Sequence, residues 1–155
     1  MALKPGDKAP AFALPTDGGG KLALKDLKGK AVVLYFYPKD MTPGCTMQAE
    51  AFRDLKRKLS AKGAVVVGVS KDSVERHDRF KEKHKLNFAL VSDEDGEMCK
   101  AYGVWKQKTL YGKKFMGIER TTFLIDEKGK IAHIWPKVKV KNHADEVLDA
   151  VKALA

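Results

Sequence analysis

"AVVLYFYPKDMTPGCT", residues 31–46, decides the architecture of this chain. The first seven residues run apolar without alternation, as a strand does when both its faces are buried in the middle of an α/β sheet. Pro38 ends the run, and Pro43 and Gly44 carry the chain round. From Thr46 to Leu59 the pattern turns helical: Met47, Ala51, Leu55 and Leu59 recur every fourth residue with Phe52 beside them, while Arg and Lys fill the gaps. A strand, a stiff loop and a helix thus deliver Cys45 to a helix start.

The same logic extends outward. "GAVVVGVS" (63–70) is a second buried strand, after which Asp72 or Ser73 is placed to cap a helix through "VERHDRFKEKH" (74–84). "FALVSD" (88–93) is a short strand, and "DGEMCKAYGVW" (95–105) a short helix closed by Gly103. "ERTTFLID" (119–126) and "IAHIW" (131–135) are strands joined by the Gly-containing turn "EKGK". Asn142 is placed to cap a final helix, "HADEVLDAVKALA" (143–155). "PTDGGGKLAL" (15–24) reads as a turn between short strands; its glycine triplet lacks the strand-to-helix setting of a phosphate loop. Together these predict an α/β fold with a central mixed β-sheet flanked by helices, in one domain spanning residues 1–155.

Composition removes several function classes. No run reaches the roughly 18 apolar residues that span a bilayer. "MALKPGDKAPAFALP" has no apolar core of a secretory signal. Two cysteines are too few for a disulfide scaffold and suit a reducing compartment, so a cytoplasmic protein is expected. The formal net charge is +10, from 30 Lys+Arg against 20 Asp+Glu. The lysines are scattered, as in "LKRKLSAK" and "KQKTLYGKK", and interleaved with acidic and apolar residues. They read as solvated faces rather than a nucleic-acid surface, and no zinc-finger spacing or RNA-stacking motif accompanies them. His77, His84, His133 and His143 are far apart and lack metal-ligand spacing.

Cys45 is the residue that composition cannot explain away. As a small apolar core residue it would need no special loop. At a helix start, unpaired N–H groups and the positive end of the helix dipole favour a thiolate over a thiol. Thr42, three residues earlier, offers a hydroxyl that could donate to the thiolate or to a bound oxygen. Pro38 and Pro43 stiffen the loop, and Pro38 could shield it from water.

"PKDMTPGC" fits a peroxiredoxin signature: Pro, three residues, Thr, two residues, Cys. The longer "FYPKDMTPGCTMQAEAFRD" resembles the bacterioferritin-comigratory, or Q-type, branch of that family. "KLALKDLKGKAVVLYFYP", "VVVGVSKDS", "LVSDEDGEMCKAYGVW" and "GIERTTFLIDEKGKIAHIW" extend the resemblance over nearly the whole chain. It implies a thioredoxin-like fold and a thiol peroxidase that reduces hydrogen peroxide and organic hydroperoxides without metal or flavin. Cys45 matches the peroxidatic cysteine, Thr42 the threonine that orients the peroxide, Pro38 the proline that packs over the site, and Arg120 the arginine that pairs with thiolate and peroxide. Gly44 falls in the same substrate pocket. Tyr102 and Trp105 read as core or as backing to the site, and Glu50 and Arg53 as a solvated helix face.

Two departures stand out. Many Q-type members carry a resolving cysteine five residues after the peroxidatic one, where this chain has Glu50. Others place it in the next helix, where "VERHDRFKEKHK" has none. Only Cys99 remains, in the amphipathic "MCKAYGVW", and it reads as a buried core thiol. The expectation is a monomeric one-cysteine enzyme whose sulfenic acid is reduced by thioredoxin, glutaredoxin or a small thiol. Two alternatives stay open: a two-cysteine mechanism with Cys99 resolving, or a thioredoxin-like thiol–disulfide reductase, which would need a nearby second cysteine that "GCTMQ" lacks.

Overall fold

The computed structural model describes residues 2–154; the last residue of the expected final helix, Ala155, lies outside them. Its centre is β3 (Ala31–Phe36), buried at every position. β3 pairs in parallel with β4 (Ala64–Ser70), which pairs in parallel with β5 (Ala89–Ser92). On its other edge β3 pairs antiparallel with β8 (Thr121–Ile125), and β8 with β9 (Ile131–Trp135). The order β5-β4-β3-β8-β9 is the mixed sheet expected, with the thioredoxin-like architecture. β1 (Ala13–Pro15) and β2 (Lys21–Ala23) form a small hairpin around the glycine triplet.

Alternation along β3 divides the core in two. Val33, Tyr35 and Tyr37 face one side, packed with Cys45, Ala49 and Phe52 of α1 (Pro43–Ala61), Phe80 of α2 (Val74–His84) and Val147 of α4 (His143–Leu154). Val32, Leu34 and Phe36 face the other, against Met98, Cys99 and Tyr102 in and after α3 (Glu97–Ala101). The glycine at position 68 lets the sheet carry a large aromatic here: a Cβ there would stand 3.0 Å from the Tyr35 ring.

Ser73, rather than Asp72, caps α2, accepting from the Arg76 N–H at 3.2 Å. Gly103, at φ +72, closes α3. Asn142 precedes α4 in left-handed backbone (φ 63), and its main-chain carbonyl accepts from the Glu146 N–H at 3.1 Å.

Three local readings need correction. α1 begins at Pro43, not Thr46, because proline fits the first helical position, where no N–H is needed. Its buried face is Cys45, Gln48, Ala49, Phe52 and Leu59, so Met47 is exposed; the every-fourth-residue stripe followed the wrong edge of the true face. The lysine-rich stretch read only as solvated surface is a hairpin, β6 (Trp105–Leu110) and β7 (Lys113–Ile118). Its two-residue turn, Tyr111–Gly112, has both residues at positive φ (51 and 77). Among the described residues no helix is long and apolar enough to cross a membrane.

Candidate active site

The loop between β3 and α1 puts Cys45 in the first turn of the helix, and Arg120, the residue that leads into β8, the strand beside β3, reaches it. Arg120 Nη2 donates to Cys45 Sγ at 3.3 Å, and Nη1 donates to Gln48 Oε1 at 2.6 Å. One guanidinium thus engages two residues one helical turn apart, which fixes its plane as well as its charge. The carbon that an alanine would add at position 44 would lie 3.3 Å from Arg120 Nη2, so Gly44 clears the approach of the arginine. Pro43 has no N–H, and the Thr46 N–H goes to the Thr42 carbonyl at 2.9 Å. The Gly44 and Cys45 N–H groups have no carbonyl partner among the described residues, as expected of a helix start.

Thr42 stands at the cap of α1, but its hydroxyl donates to the Lys39 carbonyl at 2.8 Å. The expected donation to the thiolate is therefore not the arrangement present: the hydroxyl proton is engaged, and the oxygen lone pairs are what Thr42 offers. Pro38 is exposed in the loop after β3. Cys45 is only 1% exposed.

Gln48 is the site residue that sequence reasoning missed. Its polarity on the buried face of α1 was the available signal, since an uncharged amide is rarely placed there without a partner. Its Nε2 and the Tyr35 hydroxyl are buried without a hydrogen-bond partner among the described residues. Burial first, then the negative charge of Cys45, hold the Tyr35 phenol well above its ordinary range.

Glu50 and Arg53 turn toward α2. Arg53 Nη1 donates to the His84 carbonyl at 2.7 Å and lies 3.6 Å from Glu50. Tyr102 is core, donating to the Pro10 carbonyl at 2.7 Å, and Trp105 is half-buried with Lys71 Nζ 4.3 Å from its ring centroid.

Cys99 occupies the opposite face of the sheet from Cys45. Its N–H donates to Asp93 Oδ2 at 2.8 Å. Burial, then the hydrogen bond and charge of Asp93, push its thiol far up, which favours the protonated form.

His143 lies under the Arg120 side of the site, 2.8 Å from the Thr122 hydroxyl. Burial, then the Arg120 charge, lowers its pKa from 6.5 to about 4. Over that window the unfolded chain binds a proton the folded chain refuses, so stability should fall as pH drops from 6.5 toward 4. His143→Gln, which keeps a partner for Thr122 but does not titrate, should flatten that part of the profile in urea unfolding measured across the window. An unchanged slope would show that His143 is not its source.

The chain is similar to known proteins over nearly its whole length. The AhpC/TSA family model matches residues 5–134. A putative peroxiredoxin bcp of Coxiella burnetii is 58% identical over 148 residues, covering 96% of this chain and 98% of that protein. Peroxiredoxin Bcp of Bacillus subtilis is 50% identical over 155 residues, covering 100% and 99%. Among solved structures, a Xylella fastidiosa PrxQ cysteine-to-serine mutant superposes with a TM-score of 0.94 at 41% identity, covering 99% of this chain and 98% of that one. A Xanthomonas campestris bacterioferritin comigratory protein, solved as a trapped intermediate and ligand complex in the study of its alkyl peroxide reduction, superposes with a TM-score of 0.88 at 46% identity, covering 92% and 90%.

Proposed function

The chain belongs to the AhpC/TSA family, with the Bcp-type peroxiredoxins, and is a thiol-dependent peroxidase; from that premise we propose that Cys45 is its peroxidatic cysteine and that it works by a one-cysteine mechanism. The observation that carries this reading is Arg120 Nη2, 3.3 Å from Cys45 Sγ at the start of α1.

The thiolate of Cys45 attacks the nearer peroxide oxygen, and the S–O bond forms as the O–O bond breaks. Negative charge grows on the departing oxygen, where Arg120 and the free N–H groups of the helix start stabilise it. That oxygen takes a proton and leaves as water or an alcohol, with Cys45 left as sulfenic acid. Thr42, its own proton held by Lys39, accepts from the O–H of the incoming hydroperoxide and so orients it. Pro38 and Gly44 complete the pocket. Alkyl hydroperoxides, by analogy with the Xanthomonas relative, join hydrogen peroxide as substrates.

An outside thiol then attacks the sulfenic sulfur and expels water, and a second thiol breaks the mixed disulfide to restore Cys45. Thioredoxin, glutaredoxin and small thiols are the proposed donors, acting on a cytoplasmic monomer of one domain. What favours an outside donor is the place of Cys99. A disulfide needs Cα atoms within about 7 Å, whereas Cys99 packs on the far side of β3.

One equivalent of peroxide added to the reduced protein should leave a dimedone-reactive sulfenic acid on Cys45. Excess peroxide should carry it on to sulfinic acid, and folded Cys99→Ala should keep turnover close to the parent's, since Cys99 packs on the far side of the sheet from Cys45. Rapid appearance of a Cys45–Cys99 disulfide on a non-reducing peptide map, with lost turnover in Cys99→Ala, would overturn the one-cysteine mechanism.

A further inference from the structure

Asp40 lies in the loop that carries Cys45, yet its polar groups are all held by residues outside positions 38–45. Its N–H donates to Asp72 Oδ2 at 2.8 Å, and its carbonyl accepts from Arg76 Nη2 at 3.1 Å. Its Oδ1 accepts from the Tyr37 hydroxyl at 2.5 Å, and its Oδ2 faces His77 Nδ1 at 2.6 Å. His77 is fully buried on α2, and its Nε2 lies 2.9 Å from the Val91 carbonyl of β5. A carbonyl only accepts, so Nε2 must carry hydrogen, and the ring shares a further proton with the Asp40 carboxylate. The loop is thereby fastened to α2 and β5 at one residue.

The cluster is closed. Asp72 accepts from the Ser70 hydroxyl at 2.6 Å and from Arg76 Nε at 2.9 Å, so the close-set Asp40, Asp72 and His77 have their ligand atoms satisfied from within. The residue after Asp40, Met41, has φ 70, a left-handed conformation that is unfavourable for a non-glycine residue. It is followed at once by Thr42, Pro43, Gly44 and Cys45. The path that aims Thr42 and Cys45 therefore starts from a strained turn whose near side Asp40 pins.

We propose that Asp40 and His77 are positioning residues for the peroxidase reaction, holding the segment from Asp40 to Cys45 so that the Thr42 oxygen and the Cys45 sulfur face one peroxide molecule. Stability alone does not account for such a pair. A buried ion pair contributes little net stability compared with apolar residues of the same volume, so its placement on the one loop that needs fixed geometry is informative. The charged and titratable groups facing His77 are Asp40 and Asp72, with Arg76 bridging them and Tyr37 on the far oxygen of Asp40. Burial alone would lower the His77 pKa, but the hydrogen bond and charge of Asp40 raise it above the ordinary histidine value.

The proposal rests on the reading of Cys45 above, and the test separates the two. The second-order rate of the reduced protein with hydrogen peroxide is measured for the parent, Cys45→Ser, His77→Asn, His77→Gln and Arg76→Gln, with circular dichroism on each. An asparagine amide reaches where Nδ1 does and can still donate to Asp40, whereas a glutamine amide reaches Val91 and cannot. His77→Gln should be slowed ~10–100-fold, the cost of misplacing reacting groups by about 1 Å, and His77→Asn distinctly less. Arg76, at the exposed edge of the cluster, serves if the histidine variants do not fold: Arg76→Gln should slow the reaction severalfold. Equal slowing of both folded histidine variants would make His77 a mere prop between helix and sheet, and overturn the proposal. So would a His77→Gln rate within twofold of the parent or, where neither histidine variant folds, an unchanged Arg76→Gln. Turnover by Cys45→Ser would instead overturn the reading beneath it.

Discussion

Cys45→Ser should be a folded protein that consumes no peroxide above the uncatalysed rate. Serine nearly matches cysteine in shape, and position 45 packs among Tyr35, Ala49 and Phe52, so the core keeps its neighbours. The reaction loses its nucleophile, because a serine hydroxyl is far less ionised than a thiol near neutral pH and, among the described residues, the side chain hydrogen-bonded to position 45 is an arginine, not a general base. Arg120 favours an anion but removes no proton. The measurement is peroxide consumption with saturating dithiothreitol, together with a thermal melt of the variant. A melt close to the parent's with activity at background is the expected pair of results. A folded serine variant that still turns over would remove Cys45 from the mechanism, and Cys99 would become the residue to test.

The fold was legible wherever burial is complete on both faces. "AVVLYFY" and "GAVVVGVS" leave no room for a helix period, and the strands they predict occupy Ala31–Phe36 and Ala64–Ser70. The β6–β7 hairpin escaped because its residues are mostly exposed, and a strand pattern depends on one buried face. Its one local signal was Tyr111–Gly112, a turn whose first residue is an unusual choice for positive φ. The site divides along the same line. Cys45 and Thr42 announce themselves by local spacing, and Arg120, 75 positions from Cys45, entered only through resemblance. The Asp40–His77 pair was invisible because each residue is defined by its partner: a histidine on a helix carries no meaning until the loop is set against it. Gln48 offered only its polarity on the buried face of α1, and what it binds is set by Arg120. The same holds for the direction of the Thr42 hydroxyl, which is fixed by a carbonyl three residues back and not by residue type.

Arg120→Met should keep the fold and slow the reaction with peroxide by ~10²–10³-fold, or ~2.7–4 kcal/mol, the usual cost of deleting a donor that meets charge developing in the transition state. Methionine keeps an apolar stem that ends about where Nε of arginine stands, so the change removes the charged fork and little else. Two of its nitrogens are in use, Nη2 on Cys45 Sγ and Nη1 on Gln48 Oε1. Removing them takes away the charge beside the sulfur and leaves Gln48 with both ends of a buried amide unmatched, since its Nε2 already lacks a partner. Arg120→Lys distinguishes charge from geometry. A lysine restores a cation but has a single nitrogen, which cannot meet Cys45 and Gln48 in the fixed fork of a guanidinium. If charge alone mattered, Arg120→Lys would recover most of the rate. With the arginine acting as a planar clamp between the reacting sulfur and a side chain one turn further along α1, it should recover only a minor part. Stopped-flow rates at neutral pH for the parent and both variants give the answer, and equal rates for parent and Arg120→Met would remove the arginine from the chemistry.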